Sequence, residues 1–352
     1  MPEAPTLTAE RIEAGESLDT VNRFFYDQGW GDGLPIIPPS EERVAAMVAG
    51  SARSPDEDLG EVPPKYASAT VEKIAINAVM AGCRPEYMPV LLAAVEAMLD
   101  ARFNLYSLQA TTGSPSVWII VNGPAAKEID VNSGHNCFGE GWQANATIGR
   151  AVRLIQRNLG GSLPGTTCKA TLGWPGKYST CIAENEAESP WEPLHVQRGL
   201  PRETGAVTVV SAHTYTRISD LDSTTGVNVL TTLGIGMRDH RSWAEAFLVL
   251  APELALTIAQ DGYSKDQARA FLWEKTAYDL RELSTEQAGQ RMKRRPDIHT
   301  SLDALAHVTD HPEAVFLVVA GGAGPHSAYI PSWGQSTPDG GTTLAVTVAV
   351  RP

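Results

Sequence analysis

Val117-Trp118-Ile119-Ile120-Val121 is an unbroken apolar run that stops at Asn122-Gly123-Pro124. Five apolar residues in a row leave no face for water, which predicts a strand buried on both sides. The plan recurs twice. Phe247-Leu248-Val249-Leu250 leads into Ala251-Pro252, and Val315-Phe316-Leu317-Val318-Val319 leads into Ala320-Gly321-Gly322. Helical patterns follow the first two runs, over Asn145 to Arg157 and Lys265 to Glu274, and a further strand is expected from Ala206 to Ala212. Strands alternating with helices predict an α/β, or mixed α+β, core. The repeated strand–Gly/Pro turn–helix units point to an internal repeat.

Outward from that core, residues 1–110 form a helical N-terminal region and residues 111–352 the α/β part. Ser17 caps a helix to about Gln28, and Ser40 caps Glu41 to Ala49. Thr70 caps Val71 to Ala81, and Pro85 sits in the first turn of a helix reaching Leu99. The polar, proline-containing stretch from Ser51 to Lys65 is expected to be a surface loop.

The chain has 352 residues, 43% of them hydrophobic, with 31 Gly and 24 Pro, which is the composition of a globular protein. Its 28 Lys+Arg against 41 Asp+Glu give a net charge of −13, which argues against nucleic-acid and anionic-membrane partners. No stretch approaches the ~20 apolar residues of a membrane-spanning helix. Met1-Pro2-Glu3-Ala4-Pro5 lacks the basic end and apolar run of a signal peptide, so a soluble, cytoplasmic protein is expected. Cys83, Cys137, Cys168 and Cys181 form no CxxC pair and fit neither a zinc finger nor a disulfide scaffold, so free thiols are expected.

Chemistry-bearing residues concentrate in three places. The first is Asn132-Ser133-Gly134-His135-Asn136-Cys137-Phe138-Gly139-Glu140-Gly141-Trp142, between strand and helix, where open α/β sheets bind ligands. His135 is a candidate base there, and Cys137, near it and a helix start, a candidate nucleophile. On the helix, Asn145 and Arg150 are candidate substrate contacts. Arg153 and Arg157 share the face of Arg150 and suit a solvated basic stripe, opposite the apolar Ile148, Ala151 and Ile155.

The second runs from Gly173 to His195. Glu184, Glu186 and Glu188 would share one side of an extended strand, and clustered carboxylates raise one another's pKa as proton-transfer groups require. With His195 they could also ligate a metal, although no recognised ligand spacing is present and the cofactor stays open. The alternative is a charged loop anchored by Trp174 and Trp191. Lys177, Tyr178 and His195 are further candidates for substrate binding.

The third is Gly321-Gly322-Ala323-Gly324-Pro325-His326-Ser327, a turn able to cradle an anion, with His326 a candidate base. It is neither a P-loop nor a dinucleotide fingerprint, and no GxSxG elbow exists. His299, His307 and His311 fall in a polar segment that suggests surface, and nothing chemically apt adjoins Cys83 or Cys168.

Gly29-Trp30-Gly31-Asp32-Gly33-Leu34-Pro35-Ile36-Ile37-Pro38-Pro39 resembles the start of a poorly characterised bacterial family associated with selenoprotein-like units carrying a selenocysteine/cysteine-Gly-Ser-Cys (UGSC/CGSC) motif. Asn145-Ala146-Thr147-Ile148-Gly149-Arg150-Ala151, Glu184-Asn185-Glu186 and Ala259-Gln260-Asp261-Gly262-Tyr263-Ser264-Lys265 share that likeness. This chain has no Cys-Gly-Ser-Cys. The resemblance therefore implies a thiol-bearing part on another polypeptide, with this chain one subunit of a complex, and it assigns no activity to any residue.

The expectation is an oligomeric enzyme of lyase or hydrolase type acting on a small anionic or polar substrate. Glu184 or Glu186 would carry the proton, partnered by His135 or His326, while Arg150 and Lys177 hold the anion. A thiol-dependent redox enzyme using Cys137, and a subunit that needs a partner chain, are the alternatives.

Overall fold

A computed structural model of the chain describes residues 6–238, 242, 244–337 and 341–351, so Met1 to Pro5 lie outside the described residues. Helices α1 (Leu18–Asp27) and α2 (Glu41–Ala49) start at Ser17 and Ser40, each of whose side chains accepts a backbone N–H of the first turn. The polar stretch after α2 is not a simple loop. Asp58–Val62 (β1) pairs antiparallel with Ala67–Thr70 (β2), and Thr70 then caps α3 (Val71–Ala81). Helices α4 (Met88–Leu99) and α5 (Leu105–Ala110) complete the N-terminal region.

The remaining chain builds two four-stranded sheets. In order come β3 (Ser116–Asn122), α6 (Pro124–Glu128), α7 (Gln143–Asn158), β4 (Cys181–Ala183), α8 (Leu194–Gln197), β5 (Ala206–Ala212) and β6 (Thr216–Ser219). Then follow α9 (Gly226–Arg238), β7 (Ala246–Leu250), α10 (Pro252–Gln260) and α11 (Lys265–Lys275). After a satellite of β8 (Tyr278–Asp279), α12 (Thr285–Arg294) and β9 (Leu305–Ala306) come β10 (Val315–Val319), β11 (His326–Pro331) and β12 (Val346–Ala349). Sheet I has the order β12-β5-β3-β4 and sheet II the order β6-β11-β7-β10.

Side-chain alternation shows how these layers stack. Val117, Ile119 and Val121 of β3 face the core made by α3, α4 and α7, whereas Trp118 and Ile120 face Phe247, Val249, Val318 and Ile330 of sheet II. In sheet II, Leu248, Leu250, Leu317 and Val319 face α9, α10 and α11. The molecule is thus four layers, helix–sheet–sheet–helix, and each sheet is covered on both faces. That is why the central strands are continuous apolar runs. The N-terminal helices α3 and α4 share one core with sheet I and belong to its outer layer.

The recurring strand plan corresponds to a recurring topology. β3 pairs parallel with β4 and antiparallel with β5, and β7 pairs parallel with β10 and antiparallel with β11. Each half then gives its last strand away. β6, which follows β5, pairs with β11 in sheet II, and β12, which follows β11, pairs with β5 in sheet I. The two crossings meet where Trp333 N donates to Ser211 O at 2.7 Å and His213 N to Pro331 O at 3.0 Å. The third apolar run, after which no helix is expected, leads from β10 directly into β11. Among the described residues no helix is long and apolar enough to cross a membrane.

Candidate functional site

The carboxyl ends of β3 and β4 carry a buried polar group built on Asn122, Glu184, Asn185 and His195. β4 stops at Ala183, so Glu184, Glu186 and Glu188 do not share a strand face as expected. Glu186 N instead donates to Glu184 O at 3.0 Å in a tight turn, and Glu188 pairs with the Asn185 side chain. Asn185 N reaches Val319 O at 2.7 Å, which ties the exit of β4 to the exit of β10.

Glu184 is buried at 5% exposure. Its Oε2 accepts from Asn122 Nδ2 and from Leu194 N, both at 2.7 Å, while Oε1 is buried with no hydrogen-bond partner. Burial pushes its carboxyl above the usual carboxylate range, against the opposing pull of the Lys265 charge, the Leu194 amide and Asn122. The same Asn122 amide donates to Glu186 Oε1 at 3.0 Å, which also accepts from Gly123 N at 2.7 Å. His195, fully buried, places Nδ1 3.8 Å from that oxygen, and its Nε2 lies 3.2 Å from Arg202 O. Gly123 is required here: its φ is +68°, and a Cβ would collide with the Thr204 carbonyl.

Lys265 closes the group. It is buried at the start of α11, its Nζ donates to Glu192 O at 2.9 Å, and burial pushes its pKa below the ordinary lysine value. A buried cation thus faces a buried carboxyl, each biased by burial toward its neutral form.

The other two expected turns converge on the same strand ends. Ala183 N donates to Asn132 O at 3.2 Å and Gly321 N to Ser133 O at 2.8 Å, which joins the 132–142 loop to the exits of β4 and β10. His135 is exposed and its imidazole lies directly on Gly322, where any Cβ would fall inside the ring. Asn145 is not free for substrate, because its amide is spent on Asn132 N and O and on Cys137 O, which holds this loop in shape.

Several candidates stand apart from this group. Arg150 makes a bidentate pair with Asp32 at 2.8 and 2.9 Å and also holds Pro35 O, so its guanidinium anchors the N-terminal glycine-rich turn. Lys177 lies beside Cys168, and Tyr178 is exposed. His326 is exposed at the start of β11 with Nδ1 3.0 Å from Ser219 Oγ. Cys137 is buried against Trp118 and Phe138, and burial pushes its thiol up to about 11, so it is unsuited to nucleophilic attack at neutral pH.

The anchoring reading of the tryptophans also holds in part, for Trp191 Nε1 donates to Tyr263 O at 3.2 Å. The polar 299–311 segment is less exposed than expected: His299 is buried, and His307 stacks on Trp273 with centroids 3.7 Å apart. Asn122 and Lys265 escaped the sequence reading. A polar residue closing a wholly apolar strand is the signal that marks Asn122. Lys265 looked like an ordinary first-turn residue of a capped helix.

Among the described residues no group of three His, Cys, Asp or Glu side chains is placed to hold a metal ion. No protein-family model matches the chain, and neither a curated protein nor a solved structure matches it.

Proposed function

We propose that the chain is an enzyme of lyase or hydrolase type that moves a proton to or from a small polar or anionic substrate at the ends of β3 and β4. The observation that carries this reading is the state of Glu184. One oxygen is clamped by two donors at 2.7 Å, the other has no partner, and burial favours the protonated form. A carboxyl held this way keeps a fixed direction for its proton and a pKa shifted toward the range where transfer is efficient.

Glu186 complements it. With Asn122 and Gly123 donating to Oε1, it is held as an acceptor beside His195, and the pair forms the base side of the site. Asn122 bridges the two carboxylates and sets their separation. His135, exposed on Gly322 at the mouth of the same strand ends, is the group that meets incoming substrate. Lys265 supplies the positive charge that an anionic group or a developing negative charge would feel.

The test is consumption of compounds from a pooled set of small hydroxy, amino and keto acids and their esters, followed by mass spectrometry. Wild-type protein should consume at least one component, and Glu184→Gln, with unchanged circular dichroism, should lose that activity by about 10²-fold or more, the usual size of a general acid–base contribution. Equal consumption by Glu184→Gln and Glu186→Gln would refute the assignment.

A further inference from the structure

The segment that follows α7 folds back against the basic side of that helix and carries a thiol into a cluster of cations. Cys168 N donates to Leu163 O and Gly165 N to Cys168 O, both at 3.0 Å, so the cysteine backbone is fixed. Lys177 Nζ lies 3.6 Å from Cys168 Sγ. Arg153 is held by Ser162 O and Gln156 Oε1, both at 3.2 Å, and its charge acts on the same sulfur. Arg157, one turn further along α7, also acts on the sulfur, and its buried Nε has no hydrogen-bond partner. The carboxylate that acts on these arginines is Asp32, and both its oxygens are taken by Arg150. The expected solvated stripe is therefore a partly buried cluster set against a thiol that is itself buried, at 5% exposure.

The four cysteines separate accordingly. Burial pushes Cys83 up to about 12, Cys137 up to about 11 and Cys181 higher still. Burial also acts to raise Cys168, but the Ala170 amide and the Lys177 and Arg153 charges outweigh it and hold the thiol below its ordinary value. Lys177 is lowered in turn, first by burial and then by the Arg153 charge.

We propose that Cys168, Lys177, Arg153 and Arg157 form a second reactive site, in which a thiolate attacks small anionic electrophiles. The cations draw in the anion and hold the sulfur ionised. In the reaction the sulfur electron pair forms a bond to an electrophilic carbon, the bond from that carbon to its leaving group breaks, and the leaving group departs with the electron pair. Lys177 keeps its proton throughout and acts as a positioning residue. None of this depends on Glu184.

Iodoacetate and iodoacetamide are suitable probes, because they form the same kind of bond and release iodide but differ in charge. Full-length protein at about pH 7 should be labelled first at Cys168, as read by peptide mass spectrometry. The rate ratio of iodoacetate to iodoacetamide should exceed that of a free cysteine peptide several-fold. Lys177→Gln should slow labelling several-fold at about pH 7 and lose little at about pH 10, where ordinary thiols ionise as well. Lys177→Arg should restore the rate. Labelling of another cysteine before Cys168, a rate ratio equal to that of the free peptide, or an unchanged rate in Lys177→Gln would each overturn the proposal. Glu184→Gln should label at the wild-type rate, which keeps this result separate from the strand-end site.

Discussion

Asn122→Asp exchanges a two-proton donor for an acceptor of the same shape, so it perturbs the strand-end site without opening a cavity. In the native chain the Asn122 amide donates at 2.7 Å to Glu184 Oε2 and at 3.0 Å to Glu186 Oε1. A hydrogen bond to a charged group contributes about 1.5–3 kcal/mol. Both bonds belong at the lower end of that range, Glu184 because burial biases its carboxyl toward the neutral form and Glu186 because its side chain is 19% exposed. Losing both costs about 3 kcal/mol, before any repulsion from a third carboxyl group. The cost should shrink as pH falls, because a protonated carboxyl can donate where the amide did. Urea unfolding of variant and wild type at about pH 8 and about pH 4.5 measures both quantities. A difference below about 1 kcal/mol at the higher pH, or one that does not shrink at the lower pH, would refute this account of the carboxylate pair.

Asp32→Asn should destabilise by about 3 kcal/mol, since it leaves the Arg150 guanidinium, only 14% exposed, without its charge partner. Burial acts to raise the Asp32 carboxyl, but the Arg150 pair outweighs it and lowers the pKa. The stabilisation is therefore present above the unfolded-state pKa and lost as pH falls through the folded value, so wild type and variant should converge in acid unfolding curves. Gly322→Ala should move the exposed His135 ring with little loss of stability; a changed His135 imidazole resonance with unchanged thermal midpoint is the expected pair of results. Gly123→Ala meets the fixed Thr204 carbonyl at positive φ and should cost about 1–3 kcal/mol in denaturant unfolding. Trp118→Ala, between the two sheets, should cost about 3–5 kcal/mol by the same measurement.

The elements legible in the sequence were those with a strong local signal. Ser17, Ser40 and Thr70 each cap the helix their spacing announced, and Ala206–Ala212 is a strand with the expected bounds. The β1–β2 hairpin was not legible, because its strands are short, polar and half exposed and carry no clean alternation. The grouping of the three turns was legible from their place at apolar strand ends, and Glu184, Glu186 and His135 do lie there. Contacts made by distant segments were hidden. Arg150 meets Asp32 118 residues away in sequence, and that pairing, not the local spacing, fixes its role. Cys168 looked inert for the same reason: its cations come from α7 and from the turn before β4.

The exchanged last strands also bear on how the chain is made. Thr208 of β5 meets Thr347 of β12 across 139 residues of sequence, so that edge of sheet I has no partner until nearly all of the second half has been synthesised. An unpaired apolar edge is a template for pairing with another nascent chain. The same exchange makes two chains able to trade halves, because a β12 from one copy fits the waiting β5 edge of another. Misassembly during synthesis should therefore take the form of entangled dimers with native sheets rather than unstructured aggregate, and slower elongation through the second half should increase their share.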